Sequence, residues 1–135
     1  MKEVSLKSTL ENVEVLTGII DSELESVGCP TKAIMQVDVA IDEIFSNIVN
    51  YGYDCENEEI VIKYDVDPKD KSISITFVDS GKSYNPLDKD DPNISEDAET
   101  RKIGGLGIYI VKKTMDNMVY KYENNKNYLT IIKKF

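Results

Sequence analysis

The sequence predicts an α/β two-layer sandwich, with three helices on one face of a mixed, mostly antiparallel sheet. Three observations predict it. Apolar residues recur at helical spacing up to about residue 51, and from about residue 60 they alternate with polar ones. A third helical stretch then precedes a final pair of alternating runs. The whole is 135 residues, 41% apolar and 30% charged, which suits one soluble domain over 1–135. A chain of this length buries roughly two thirds of its unfolded surface, enough for a core without staples.

Residues 2–7 read as an edge strand. Ser8 and Glu11 have capping-box spacing, so a first helix is expected from Ser8 to about Val27, stopped by Gly28. Pro30 suits the first turn of a second helix, whose stripe is Val37, Ile41, Ile44, Ile48 and Tyr51, ended by Gly52. Ile60, Ile62, Tyr64 and Val66, then Ile73, Ile75 and Phe77, form a hairpin about Asp67-Pro68-Lys69-Asp70. From Asp79 to about Lys102 the pattern dissolves into a long loop, a length that usually marks function or disorder. A third helix is expected from about Gly105 to Asn117. The last hairpin pairs Val119–Glu123 with Tyr128–Lys134 about the turn Asn124–Asn127.

Composition excludes much chemistry. The formal charge is −9, from 25 acids against 16 bases, which argues against a nucleic acid or an anionic membrane as partner. Without a single histidine there is no Ser-His-Asp or Cys-His triad, no His-ligated zinc and no phospho-accepting histidine. Cys29 and Cys55 form neither a disulfide framework nor a CxxC site, and Cys55 has no base to activate it. The N-terminal residues lack the apolar stretch of a signal peptide, and no window reaches about 18 consecutive apolar residues, so a cytoplasmic setting is expected. Asp88, Asp90 and Glu99 mimic a calcium loop, but Pro92 falls on a ligand position and Asn93 on the glycine, so the run 88–99 reads as solvated loop.

Three places can carry chemistry. Glu43, Asn47 and Asn50 share a helix face at i, i+4 and i+7. Glu43 can take a proton from an attacking hydroxyl or water. Asn47 offers a hard oxygen to Mg²⁺, which keeps several waters and leaves room for phosphate oxygens. Asp79-Ser80-Gly81 ends a strand in a sharp turn and holds at the sheet rim a carboxylate that can accept from an exocyclic amine. Gly104-Gly105-Leu106-Gly107 opens a helix, whose unpaired N–H groups and dipole can hold an anion. Each has a plainer structural reading as solvated face or turn.

Together, and in this order, the three resemble the boxes of the GHKL ATP-binding superfamily of gyrase, Hsp-type chaperones and histidine kinases. Glu43-Ile-Phe-Ser-Asn47 is similar to its N box, Asp79-Ser-Gly81 to the start of its G1 box, and Gly104-Gly105-Leu106-Gly107 to its G2 box. Thr130 matches the threonine that helps fix adenine. The stretch from Asp38 to Tyr53, Tyr84-Asn85-Pro86, and Gly-Gly-Leu-Gly-Ile-Tyr-Ile-Val at 104–111 narrow the likeness to the small bacterial anti-sigma-factor serine/threonine-protein kinases. Ser83 stands where the wider superfamily has a second glycine, a feature of this branch.

The resemblance implies a Bergerat-type fold with an ATP lid at about 80–104, and ATP with Mg²⁺ as cofactors. It implies that Glu43 is the catalytic base and that Asn47 holds the metal, with Asn50 beside it. Asp79, Gly81 and Thr130 would receive adenine, and Gly104, Gly105, Leu106 and Gly107 would wrap the phosphates. Arg101 and Lys102 are candidates for the γ-phosphate. The implied activity is phosphorylation of a serine on an anti-anti-sigma factor, with a sigma factor held by a homodimer of this chain. Two other readings stay open: an ATP-binding partner-switching module without phosphotransfer, and a structural interaction domain without a nucleotide site.

Overall fold

β1 (Lys2–Lys7) leads into α1 (Asn12–Ser26) and α2 (Thr31–Asn47), followed by a hairpin of β2 (Glu59–Asp67) and β3 (Ser72–Asp79). α3 (Gly105–Thr114) precedes a second hairpin, β4 (Asn117–Glu123) with β5 (Lys126–Lys134). The computed structural model describes residues 1–52, 58–88 and 105–135, and of 51, 52, 88, 105 and 106 the backbone alone. Cys55, Arg101, Lys102, Gly104 and most of the acidic run and proposed lid lie outside the described residues.

The sheet runs β1-β2-β3-β5-β4, and every pairing among the described strands is antiparallel. Alternation decides its faces. Ile60, Ile62 and Tyr64 of β2, Ile73, Ile75 and Phe77 of β3, and Leu129 and Ile131 of β5 are buried in one core with the helices. Into the same core α1 sends Leu16, Ile20 and Leu24, and α2 sends Val37, Ala40, Ile41, Ile44 and Phe45. Fully burying one such large aliphatic or aromatic side chain is worth about 1.5–3 kcal/mol. No helix among the described residues is long and apolar enough to cross a membrane.

Several boundaries differ from the sequence reading for local reasons. Ser8 is no cap. Its N–H extends the β1–β2 pairing by donating to Glu58 O at 2.7 Å, and the chain turns once more before α1 starts. Pro30 sits just before α2 with an extended ψ of 143°, and the helix begins at Thr31. The α-helical part of α2 ends at Asn47, and Ile48–Gly52 continues as a π turn. The last hairpin needs only two turn residues, because Asn124 (φ 54°) and Asn125 (φ 62°) both take the left-handed conformation of a type I′ turn. Asn127 therefore belongs to β5 rather than to the turn.

Gly28 closes α1 with φ +73°. Its N–H reaches Glu25 O at 3.1 Å and that of Cys29 reaches Leu24 O at 3.0 Å, the paired bonds of a Schellman cap. Between α1 and α2, Asp38 has its carboxyl pushed up to about 7, by burial first and then by the hydrogen bond and charge of Asp21. Each of the two carboxyls leaves one Oδ1 buried without a partner.

Gly28→Ala forces a side chain into the left-handed region and lowers unfolding free energy by about 1–2 kcal/mol, measurable by urea titration. Asp38 binds its proton more tightly in the folded chain than in the unfolded one. Its contribution is therefore complete at low pH and is lost as pH rises from about 4 toward 7. Asp38→Asn removes that loss, so its thermal midpoint gains more over the unmodified chain at pH 8 than at pH 4.

Candidate functional site

The pocket lies at the end of the sheet where β3 stops. Asp79 is the last residue of β3, and the antiparallel register sets it opposite Asn127 of β5. α2 lays Ile44, Asn47 and Ile48 across the opening, and α3 contributes Ile108. Tyr120 of β4, Leu129 of β5, and Lys82, Tyr84 and Pro86 from the segment after β3 complete the lining. The walls are mostly apolar, with a few converging polar groups, which is the usual make-up of a small-molecule site.

Asp79 is buried, with 6% of its surface exposed. Burial pushes its carboxyl above the ordinary value, against which the hydrogen bonds from Asn127 and Gly81 pull down. Asn127 Nδ2 donates to Asp79 Oδ1 at 3.0 Å and Gly81 N to the same oxygen at 2.9 Å. Gly81 thus closes the turn on Asp79 through its backbone. Asn85 repeats the device one step on, its Oδ1 accepting from Leu87 N at 2.9 Å to start a short 3₁₀ turn.

Glu43 lies one helical turn before Asn47 on α2, so both project on the same side. Its carboxyl titrates above the ordinary glutamate range, from burial first and from the charge of Asp42 second. Its partner across the helices is Gly107. A Cβ built on Gly107 would run into Oε2 and Cδ of Glu43, so the carboxylate occupies the space that the missing side chain leaves. Gly105 and Leu106, just ahead, form the first turn of α3. Glu43 and the start of α3 thus share one place, next to the Asn47 and Asp79 pocket.

Two expected members do not join them. Thr130 lies on the opposite face of the sheet. It pairs with Thr76 in the β3–β5 register, and the two hydroxyls hydrogen-bond at 2.8 Å. The residues of β5 that face the core and the pocket alternate with it: Asn127, Leu129 and Ile131. Asn50 is exposed and does not line the pocket, because the π turn after Asn47 breaks the period that would have stacked it below. Gly104 lies outside the described residues.

Asn127 went unnoticed in the sequence, as did Lys82 and Tyr120. The signal for Asn127 was there: it stands at the position in β5 where the alternation Leu129, Ile131 calls for an apolar residue. A polar side chain that is 5% exposed must find partners. Among the described residues no three acidic, cysteine or histidine groups cluster to hold a metal ion. A cation here would need phosphate oxygens and water besides Asn47, which matches the ligand habits of Mg²⁺.

Comparison with known proteins bears on the family and the fold of the chain. A family model described as the histidine kinase-like ATPase domain matches residues 6–133. The serine-protein kinase RsbW of Listeria innocua is 26% identical over 101 residues, covering 71% of this chain and 63% of that protein. The chain thus spans less than two thirds of the Listeria relatives it matches. The anti-sigma F factor of Clostridium perfringens is 25% identical over 101 residues, 75% of this chain and 71% of that one. In the crystal structure of the RsbU and RsbW domains of Rv1364c from Mycobacterium tuberculosis, the similar chain superposes with a TM-score of 0.68. That likeness covers 99% of this chain and 32% of the other at 12% identity, and it is a likeness of fold.

Gly107→Ala tests the contact with Glu43. The helix itself gains, since alanine is favoured over glycine by about 1 kcal/mol, while the carboxylate is driven out toward water. The expected outcome is an unfolding midpoint no lower than that of the unmodified chain and a Glu43 titration, followed by carboxyl NMR, that falls back toward the ordinary value.

Proposed function

Because the chain belongs to the histidine kinase-like ATPase family, we propose that its pocket binds ATP with Mg²⁺ and that it phosphorylates a serine on a partner protein. The observation that carries this is the meeting of Glu43 with Gly107 beside a pocket that holds Asn47 and Asp79 together. Asp79 accepts from the exocyclic amine of adenine, between the apolar walls of Ile44, Ile48 and Ile108. Gly105, Leu106 and Gly107 at the start of α3, with Gly104 before them in the sequence, offer backbone N–H groups to the phosphates. Asn47 would hold the metal by its amide oxygen. Bound Mg²⁺ supplies neutralisation of phosphate charge.

Glu43 is the proton acceptor. The partner hydroxyl oxygen forms a bond to the γ-phosphorus as the bond to the β–γ bridging oxygen breaks, its proton passes to Glu43, and ADP leaves. Most of the acceleration in such a transfer comes from positioning and charge neutralisation. The name of the Listeria relative supports a serine-protein kinase, and that of the Clostridium relative supports an anti-sigma role. In that role an anti-anti-sigma factor is the phosphate acceptor, a sigma factor is the competing partner, and a cytoplasmic homodimer of this chain holds it. The domain is the whole of 1–135, with a lid at about 80–104.

Incubation with labelled ATP, Mg²⁺ and a cognate anti-anti-sigma protein tests the reading. Label is expected on a partner serine. Glu43→Gln lowers the transfer rate by a factor of about 10² to 10⁴ with ATP affinity kept. The transfer rate of the unmodified chain rises with pH through a midpoint above that of an ordinary glutamate, because the base works only when ionised. Intact ATP binding with no transfer to any cognate partner would make the chain a nucleotide-dependent switching module instead.

A further inference from the structure

Asn127 uses its side chain to capacity. Nδ2 donates to Asp79 Oδ1 and to Lys82 O, both at 3.0 Å, with Gly81 O further off at 3.4 Å. Oδ1 accepts from Tyr84 N at 3.2 Å and from the Tyr120 hydroxyl. An amide has two donors and two acceptor sites, and here all four are taken. The opposite orientation of the amide would set its carbonyl against Asp79 and Lys82 O, and its NH₂ against the Tyr84 N–H. Only one orientation fits, and it joins three elements: the end of β3, the segment 81–84 and β4.

The consequence falls on Asp79. Both of its hydrogen bonds, from Asn127 and from Gly81 N, fall on Oδ1, and Oδ2 takes part in neither. Donors on Oδ1 favour the carboxylate, which is acceptor-only. The ionised carboxyl can only accept at Oδ2, so a ligand group meeting it there brings a hydrogen. A 6-amino purine does so. A 6-oxo purine brings a carbonyl oxygen and meets like against like.

We propose that Asn127 is the positioning residue of the base-recognition end of the pocket, holding Asp79 so that it offers Oδ2 as an acceptor and thereby selects a 6-amino over a 6-oxo purine. This rests on the nucleotide reading above and adds a residue that touches no part of the reaction. Asn127 acts through Asp79 and through the 81–84 backbone.

The test compares ATP with inosine triphosphate, which differs at the 6-position, by their dissociation constants in the full chain. The unmodified chain should prefer ATP. Asn127→Asp keeps the shape, and its two outer bonds to Tyr84 N and Tyr120 remain. It replaces the fixed donor facing Asp79 by a carboxyl that repels it or competes with it for one proton, so Asp79 is no longer held as a carboxylate. Its preference for ATP is expected to fall by roughly tenfold or more. Asn127→Ala should do the same and should also raise the Asp79 titration seen by carboxyl NMR in the ligand-free protein, a readout that a packing defect elsewhere would not move. If both variants fail to fold, Tyr120→Phe deletes one of the four bonds and should lower the preference about threefold. An unchanged ATP preference in folded variants, with Asp79 titrating as before, overturns the assignment and leaves the nucleotide reading standing. Absence of ATP binding in the unmodified chain overturns both.

Discussion

A buried carboxylate at the end of a central strand is tolerated only where donors surround it, since an isolated one would give up its charge rather than enter an apolar interior. The pairing of β3 with β5 meets that condition by setting Asn127 directly opposite Asp79. From this pair the pocket follows. Asn127 ties down the backbone of 81–84, which places Tyr84 and Pro86 in the wall, and it takes the Tyr120 hydroxyl from β4. One register therefore fixes the orientation of the Asp79 carboxylate, the course of the segment leaving it and the position of a neighbouring aromatic ring.

α2 supplies the other half. Its inner stripe, from Val37 to Phe45, is core, and that packing fixes how the helix is rotated. With rotation fixed, Glu43 and Asn47 fall at the edge where the core gives way to the pocket. The absent side chain of Gly107 lets Glu43 lie against α3. Hydrophobic burial thus does the positioning, and the polar groups follow the helix that carries them. Lys133 Nζ reaches Thr114 O at 2.7 Å and closes the far end of α3, so that helix is tied to β5 as well.

Much of this was legible in the sequence because periodicity reports burial. The strands from Ile60 to Phe77 and the stripe of α2 are visible as alternating and helical patterns, and two of the polar residues singled out there, Asn47 and Asp79, line one pocket. What could not be read depends on contacts between distant segments. The Ser8 cap was lost because Ser8 continues the strand pairing to Glu58, fifty residues on, and α1 starts only at Asn12. Asn50 left its stripe at a π turn that no local propensity announces. The place assigned to Thr130 was wrong by face: period two sends it to the side away from Asp79. The same rule, applied to Asn127, would have found the missing member.

The two hairpins are not equivalent hosts for a foreign peptide. The Asn124–Asn125 turn stands two residues from Asn127, so anything spliced there would disturb the strand end on which the pocket is built. The turn at residues 68–71 lies at the other end of β3, a strand eight residues long, or roughly 25 Å at 3.3 Å per residue. A fluorophore, an epitope or a tether belongs there, where the chain can carry a label far from the pocket.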